Sequence, residues 1–112
     1  MVIREDSYML IRDVLSKRRP GEIENRDSRY REGAVLVPLL LDQGECKVLF
    51  TKRTDHMEDH RGQISFPGGS VDEKDRTFQD TALRETYEEV GVHPEDVTIL
   101  GRMDDALTMS SN

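Results

Sequence analysis

The sequence predicts an α+β domain in which a mixed sheet lies between helices, a layered α/β/α arrangement. Apolar residues recur at helical spacing in residues 4–18 and 77–90. Between and after these two segments, short apolar runs of strand length are bounded by Gly, Pro and acidic residues. The chain has 112 residues, the length of a single domain with one core.

The N-terminal part is predicted to be a helix followed by an extended arm. Residues 4–18 form the helix, and the Pro-Gly pair that follows ends it. Residues 20–32 carry one Ile and one Tyr among charged side chains, so we interpret them as an arm on the surface. This divides the chain into residues 1–32, the helix and arm, and residues 33–112, the main domain.

A β-hairpin is predicted at the start of the main domain. Residues 34–41 form an apolar run of strand length, and Pro38 inside the run indicates a sheet edge or a bulge. Residues 42–45 have the composition of a turn, and residues 46–51 form the returning strand. The polar loop that follows is rich in His, Asp and Glu.

The C-terminal half is predicted to contain a strand, a helix and a strand. Residues 63–66 form the first strand, which the Pro-Gly-Gly sequence after it is expected to stop. Residues 77–90 have helical periodicity, and Gly91 occupies the favoured position after a helix end. Residues 97–103 form the last strand. The residues predicted to face the core from the helix are Ala82, Leu83, Thr86, Tyr87 and Val90.

Charge and composition exclude several classes of function. With 16 basic and 23 acidic residues the net charge is -7 at pH 7, so nothing sequence-wide favours nonspecific binding to nucleic acid or to an anionic membrane. No apolar run reaches the roughly 18 residues of a membrane span, and the N-terminus lacks the apolar region of a secretory signal. The single cysteine, Cys46, provides no disulfide framework. We therefore expect a cytoplasmic protein.

Three glutamates lie close together on the predicted second helix. Glu85, Glu88 and Glu89 are spaced i, i+3 and i+4, which places them on one face. One interpretation of this pattern is an ordinary solvated acidic face. The other is a Mg²⁺ site, because Gly68 and Gly69 allow backbone carbonyls to approach the helix, and hard cations prefer carboxylate and carbonyl oxygens.

Residues 84–92 resemble the second half of the Nudix box, and Gly69 stands in the place of its opening glycine. The sequence departs from the box at two positions. Thr86 replaces a bulky aliphatic residue. Asp75 replaces a glutamate and lies one residue further from Arg84 than the box requires.

That altered form of the box is similar to the variant found in the coenzyme A pyrophosphatase subgroup of the family. Residues 49–54 and 60–69 resemble the signature of the same subgroup, which ends in Phe-Pro-Gly-Gly. The similarity therefore extends over residues 34–101, more than half of the chain.

The resemblance implies a Nudix hydrolase that uses Mg²⁺ or Mn²⁺ to cleave the pyrophosphate of a small nucleoside diphosphate derivative. Within the subgroup the substrate would be coenzyme A, and the products 3′,5′-ADP and 4′-phosphopantetheine. The alternatives are another Nudix substrate, such as ADP-ribose or a dinucleoside polyphosphate, and a non-catalytic module that binds a nucleotide. The glutamates favour an enzyme, because binding alone does not need three mutually repelling carboxylates.

The resemblance also implies roles for individual residues. Glu85 and Glu89 would be the principal metal ligands, and the carbonyl of Gly68 would complete the shell. Glu88 would be a further ligand or the group that activates water, and the choice between Glu88 and Glu89 as the base stays open. Arg84 would orient a glutamate rather than contact the substrate.

Other polar residues have two interpretations each. Arg53 and Arg61 either bind the phosphates of the substrate in a bidentate manner or are simply solvated. His56 and His60 are interpreted as surface residues rather than metal ligands, because hard cations prefer oxygen. Asp75 either supports the helix or approaches the metal. Structural roles are expected for Asp72, His93, Phe66 and Cys46.

The resembled domains normally continue beyond residue 100 with further strands and a C-terminal helix. Here hydrophobic residues make up only 35% of the sequence, and charged residues another 35%. We therefore expect a chain that lacks part of its core. Such a chain would self-associate into a homo-oligomer or need a further segment for stability, because exposed strand edges and apolar patches favour pairing with another chain.

Overall fold

A computed structural model describes residues 7–26, 28–52 and 63–108 of the chain. These ranges contain both helices and strands, so the predicted α+β class is confirmed. The elements in chain order are α1 Ser7–Ser16, β1 Gly33–Val35, β2 Leu39–Asp42, β3 Glu45–Val48, β4 Thr51–Lys52, β5 Ile64–Ser65, β6 Gly68–Ser70, α2 Phe78–Val90 and a 3₁₀ turn Pro94–Asp96.

The described strands pair in three antiparallel ladders of two strands each: β1 with β6, β2 with β3, and β4 with β5. Helix α2 packs against the first of these ladders, β1 and β6. The sandwich of one mixed sheet between helices stays a prediction, as does the division of the chain at residue 33.

The predicted β-hairpin is confirmed in β2 and β3, where Leu39 is opposite Val48 and Asp42 is opposite Glu45. The two turn residues between the strands both have positive φ, 53° at Gln43 and 80° at Gly44. This is the pattern of a type I′ turn, whose twist matches that of the flanking strands. Glycine adopts such a φ without steric cost, which explains why the acidic turn contains one.

The prediction of one continuous strand over residues 34–41 is wrong, because the run is divided between β1 and β2. Pro38 lies in the gap between them. A proline has no N–H to donate to a ladder, but its carbonyl still accepts a hydrogen bond from the Leu49 N–H at 3.1 Å. The predicted returning strand, residues 46–51, is also divided, between β3 and β4. The gap between these two strands includes Leu49, the residue hydrogen-bonded to Pro38.

The strand predicted over residues 63–66 is confirmed as β5, which ends before the Pro-Gly-Gly sequence, but the two glycines themselves form part of a separate strand that was not predicted. Gly68 and Gly69 belong to strand β6, in register with Val35 and Ala34 of β1. The two backbones approach so closely that a Cβ on Gly68 would lie 2.6 Å from the Cα of Val35. A residue with a side chain could not occupy this position without displacing β1, so here glycine permits strand pairing rather than ending it.

Residues 97–103, predicted as the last strand, have no regular structure. This segment contacts α1 instead of a strand, since a Cβ on Gly101 would lie 2.5 Å from the Cβ of Leu15. An apolar run forms a strand only where a partner edge accepts its hydrogen bonds. Within the described ranges no edge is paired with this segment.

The arm after α1 is tied to the segment near residue 105. The Asp104 carboxylate accepts hydrogen bonds from the Arg18 guanidinium and from the Gly21 N–H. The Asp105 N–H donates to the Gly21 carbonyl at 2.8 Å, and the Asp105 carboxylate accepts from the Ile23 N–H at 3.1 Å. The arm is therefore fixed by backbone contacts as well as by charge.

Few side chains are buried in the described part of the chain. The buried side chains there are the apolar ones of Pro67 and Ala82 and the hydroxyl-bearing ones of Thr81 and Thr86. The predicted core face of α2 is thus correct for Ala82 and Thr86 but wrong for Tyr87, which is 46% exposed. The Tyr87 ring lies against His93 instead, with 4.8 Å between ring centroids. In the ranges that the structure describes, no helix is both long and apolar enough to span a membrane.

Candidate active site

Helix α2 presents the predicted glutamates, and both of its ends are capped. At the N-terminus the Thr77 hydroxyl accepts a hydrogen bond from the Asp80 N–H, and the Asp80 carboxylate accepts one from the Arg76 N–H. At the C-terminus Gly91 has φ 76°, and its N–H donates to the Tyr87 carbonyl. Caps at both ends stabilise the helix that carries the glutamates.

The acidic loop before α2 is organised around Asp75, whose side chain is only 4% exposed. The Asp75 carboxylate accepts two hydrogen bonds from Arg84: from Nε at 3.0 Å and from Nη2 at 2.9 Å. It also accepts from the Thr81 hydroxyl at 2.8 Å and from the Asp72 N–H at 2.9 Å. The carboxylate is thus saturated with donors from the loop and from the helix.

These donors determine the ionisation of the pair. The hydrogen bonds from Arg84, and next the one from the Asp72 N–H, hold the pKa of the Asp75 carboxyl well below its usual range. The hydrogen bond to Asp75, supported by Glu85, raises the pKa of Arg84 above its usual value. Asp75 is therefore charged, and both of its carboxylate oxygens accept hydrogen bonds from Arg84. Of its two predicted roles, the geometry favours support of the helix.

Arg84 also contacts two of the three glutamates. Its Nη1 donates to the Glu85 carboxylate at 2.9 Å, and its closest distance to the Glu88 carboxylate is 3.3 Å. Its Nη2 donates to the carbonyl of Ser70 in β6. One guanidinium thus offsets the repulsion between neighbouring carboxylates and connects the helix to the strand.

Strand β6 lies against the Glu85 side chain. A Cβ on Gly69 would lie 2.5 Å from the carboxylate carbon of Glu85, so the absence of a side chain at Gly69 provides the space that this carboxylate occupies. Glu85 is 20% exposed, whereas Glu88 is 54% exposed. Glu89 also lies on the exposed surface, one turn beyond Glu85.

The carbonyl of Gly68 lies on the same edge of β6 as that of Ser70. At one end of the β1–β6 ladder the Leu36 N–H donates to the Pro67 carbonyl, and at the other end the Val71 N–H donates to the Glu32 carbonyl. The pairs between these ends are 35 with 68, 34 with 69 and 33 with 70. In an antiparallel ladder hydrogen-bonded pairs alternate with non-bonded ones. Gly68 and Ser70 therefore turn their carbonyls away from β1, and the Ser70 carbonyl is the one that Arg84 binds.

The donor set fits a hard divalent cation in its chemistry. Carboxylates of Glu85 and Glu88 and outward backbone carbonyls of β6 are oxygen ligands of the kind that Mg²⁺ and Mn²⁺ prefer. Across residues 7–26, 28–52 and 63–108, however, no three Asp, Glu, His or Cys side chains are grouped so that they could hold an ion together. Arg84 lies among the carboxylates, so an ion would compete with its Nη1 for Glu85.

Some of the residues named from the sequence fall in the part of the chain that the structure does not describe, and others have contacts of their own. Arg53, Arg61, His56 and His60 are outside the described residues. The ring of Phe66 stacks on Phe50, with 4.7 Å between centroids, which is consistent with its expected structural role. Sequence reasoning missed Thr81, although its position three residues before Arg84 on the same helix face could have indicated it.

Comparison with known proteins gives the family. The model of the NUDIX domain matches residues 30–110, and the chain therefore belongs to the Nudix family. Members of this family are hydrolases that act on pyrophosphate bonds, and they generally use divalent metal ions.

Named relatives fit this assignment. The chain is 49% identical over 70 residues to Nudix hydrolase 3 of Caenorhabditis elegans, which covers 62% of this chain. It is 42% identical over 94 residues to the Nudix hydrolase NudL of Enterobacter sp. (strain 638), and 38% identical over 96 residues to the peroxisomal coenzyme A diphosphatase NUDT7 of Mus musculus, each covering 84% of this chain. The chain covers 29%, 44% and 41% of these relatives, so it spans less than half the length of each.

Proposed function

We propose that the protein containing this chain is a metal-dependent pyrophosphohydrolase whose substrate is coenzyme A. The observation that carries the proposal is the cluster of Arg84, Glu85 and Glu88 beside the glycine strand β6, where Glu85 fits the space left by Gly69. The choice of coenzyme A is supported by the 38% identity to a mouse protein named coenzyme A diphosphatase and by the subgroup signature in residues 49–54 and 60–69.

In the proposed reaction a water oxygen attacks one phosphorus of the pyrophosphate. A new P–O bond forms, the bond between the bridging oxygen and that phosphorus breaks, and the water proton passes to a base. The products are 3′,5′-ADP and 4′-phosphopantetheine. When bound, Mg²⁺ or Mn²⁺ would neutralise phosphate charge and lower the pKa of the water. Without such neutralisation, a chain of net charge -7 would repel the anionic substrate.

The chain's own residues divide this work. Glu85 and Glu89 hold the ion, together with the carbonyl of Gly68. Arg84 orients Glu85 through its Nη1, and this contact keeps the Glu85 carboxylate directed toward β6. Glu88 or Glu89 accepts the proton from water. Arg53 and Arg61 bind the phosphates of the substrate.

The substrate is tested on the full-length protein with coenzyme A and ADP-ribose as parallel substrates and with Mg²⁺ or Mn²⁺. We expect faster release of 3′,5′-ADP from coenzyme A than of AMP from ADP-ribose. A preference for ADP-ribose or for dinucleoside polyphosphates would assign another substrate of the same reaction class. Tight nucleotide binding without turnover of any of these would favour a non-catalytic binding module.

The metal site is tested by titrating Mn²⁺ into Glu85→Gln, Glu88→Gln and Glu89→Gln while circular dichroism monitors folding. Loss of a direct carboxylate ligand should lower Mn²⁺ affinity by at least about 10-fold, because even loss of a group that only holds a ligand in place typically costs about that much. We expect this for Glu85 and Glu89. If Glu88 is the base, Glu88→Gln lowers kcat and leaves Mn²⁺ affinity nearly unchanged. Unchanged titration in Glu89→Gln would contradict its assignment as a ligand.

The location and assembly of the protein also remain proposals. We place it in the cytoplasm, whereas the mouse relative is peroxisomal by name. Homo-oligomerisation is favoured by the exposed apolar side chains of the hairpin, such as Leu40 and Leu41, each 46% exposed. Sedimentation of the full-length protein tests the assembly.

A further inference from the structure

Thr81 lies in α2, fully buried at 0% exposure. Its hydroxyl oxygen is 2.8 Å from Oδ2 of Asp75 and 3.4 Å from the carbonyl oxygen of Thr77. A hydroxyl has one proton to donate, and the shorter bond to a charged acceptor is the stronger. The hydroxyl of Thr81 therefore donates to Asp75.

Asp75 needs this donor because water has little access to its carboxylate. Its Oδ2 accepts from Thr81, from the Asp72 N–H and from Arg84 Nη2, whereas its Oδ1 accepts from Arg84 Nε. The side chain is 4% exposed, so a donor that is removed would not be readily replaced by solvent. The Thr81 hydroxyl is the donor that α2 supplies to this carboxylate in addition to Arg84.

We propose that Thr81 is a positioning residue of the site: its hydroxyl fixes the orientation of the Asp75 carboxylate, and Asp75 in turn holds the guanidinium of Arg84 against Glu85. The inference rests on the proposed function for its consequence, because Glu85 is there a metal ligand. The contacts run in one series from Thr81 to Asp75, from Asp75 to Arg84 and from Arg84 to Glu85, with each distance between 2.8 and 3.0 Å.

The helix contains a matched control. Thr86 is also buried, at 1% exposure, and its hydroxyl donates to the Ala82 carbonyl at 2.7 Å within the same helix. Replacing either threonine by valine removes one buried hydroxyl and leaves a side chain of nearly the same size. Only the Thr81 hydroxyl contacts Asp75, so the two variants separate positioning from general loss of packing.

The experiment compares Thr81→Val, Thr81→Ser and Thr86→Val in the protein that carries this chain. Three quantities are measured: the melting temperature, the Mn²⁺ dissociation constant of the protein without substrate, and the ¹⁵N resonance of the Arg84 Nε–H. Thr81→Ala, which also removes the hydroxyl, replaces Thr81→Val if that variant unfolds.

We expect Thr81→Val to weaken Mn²⁺ binding by about 3- to 10-fold, somewhat less than the change caused by loss of a group that contacts a ligand directly. The Arg84 Nε–H resonance should shift and exchange faster with water. Thr81→Ser should restore both values, and Thr86→Val should change the melting temperature but neither of the other two.

The two proposals fail in different ways. If wild-type protein binds no Mn²⁺, the proposed function fails. The contact from Thr81 through Asp75 to Arg84 is then tested by the Arg84 Nε–H resonance alone, which should still shift in Thr81→Val. If wild-type protein binds Mn²⁺ and Thr81→Val binds it equally well with an unchanged Arg84 resonance, the inference about Thr81 is overturned. Equal losses in Thr81→Val and Thr86→Val would also overturn it, because they would indicate packing rather than positioning.

Discussion

Two arginine–aspartate pairs connect separate segments of this chain, and they differ in burial. Asp75 and Arg84 connect the acidic loop to α2, with side chains that are 4% and 27% exposed. Asp104 and Arg18 connect the C-terminal described segment to the end of α1, with side chains that are 56% and 37% exposed. In the first pair Arg84 donates two hydrogen bonds to Asp75, which has further donors. In the second pair the Asp104 carboxylate accepts from Arg18 and from the Gly21 N–H.

The difference indicates which pair determines geometry. An exposed ion pair contributes little because water and salt compete for both charges. A pair shielded from water and bonded through two parallel hydrogen bonds has one preferred orientation, and removal of one partner leaves the other unsatisfied. We therefore expect the precision of the candidate site to depend on Asp75, and the arm to tolerate change at Asp104.

The largest effect is expected from Asp75→Asn. Asparagine has one acceptor oxygen where aspartate has two, so it cannot accept from Arg84 Nε and Nη2 on separate atoms, and its NH₂ group would face a donor. Mn²⁺ affinity should fall by about 10- to 100-fold, and the melting temperature should fall more than in Asp104→Asn. Asp104→Asn is the matched control and should retain wild-type Mn²⁺ affinity. Equal losses in the two variants would show that burial does not distinguish the pairs.

The pH dependence of stability should separate the same two variants. Asp75 has a pKa well below its usual range in the folded protein, so its contribution to stability is complete above the unfolded value of about 3.9. That contribution is lost as the pH falls through the folded pKa. In urea unfolding, the gap in stability between wild type and Asp75→Asn should therefore be constant above about pH 5 and should narrow below about pH 4.

The Asp104 pair serves as the comparison for this measurement. The pKa of Asp104 is also lowered, first by the Gly21 N–H and then by Arg18, so the sign of its effect is the same. The contribution of ionised Asp104 to stability should be smaller than that of Asp75, because this carboxylate is more exposed to solvent. A gap for Asp75→Asn that stays constant down to pH 2 would contradict the role given to its ionised form.

Helix α2 was predictable from the sequence because its signals are local. The periodicity of residues 77–90 and the glycine at 91 are read from neighbouring positions, and the structure has the helix from Phe78 to Val90 with Gly91 as its cap. The glutamates share a face for the same reason. The turn at Gln43 and Gly44 was likewise fixed by a few adjacent residues.

The errors and open choices concern contacts that form only when separate elements of the chain pack together. Gly68 joins a strand because β1 lies within reach of its backbone, and residues 97–103 form no strand because α1 rather than an edge lies beside them. For Asp75 the sequence left two roles open, since its donors come from Asp72, Thr81 and Arg84 only after the loop has folded onto the helix. Propensity carries no information about such partners.

The smallest of these effects, and the sharpest comparison between the two regions, comes from two glycines. A Cβ on Gly69 would lie 2.5 Å from the Glu85 carboxylate carbon, and a Cβ on Gly101 would lie 2.5 Å from the Leu15 Cβ. Both Gly69→Ala and Gly101→Ala should therefore lower the free energy of unfolding by about 1–3 kcal/mol through overpacking. Urea unfolding measures this loss.

Only Gly69→Ala should also weaken Mn²⁺ binding, because relief of its clash requires the Glu85 carboxylate to move away from β6 and from Arg84 Nη1. In Gly101→Ala the side chain that must move is that of Leu15 on α1, and among the described elements α1 is not in contact with α2 or β6. Mn²⁺ titration of both variants at equal folded fraction decides between two arrangements. Equal weakening of Mn²⁺ binding in both variants would mean that the geometry of the site depends on the packing of the whole fold. Weakening in Gly69→Ala alone would mean that this geometry is determined by the loop and helix around Asp75.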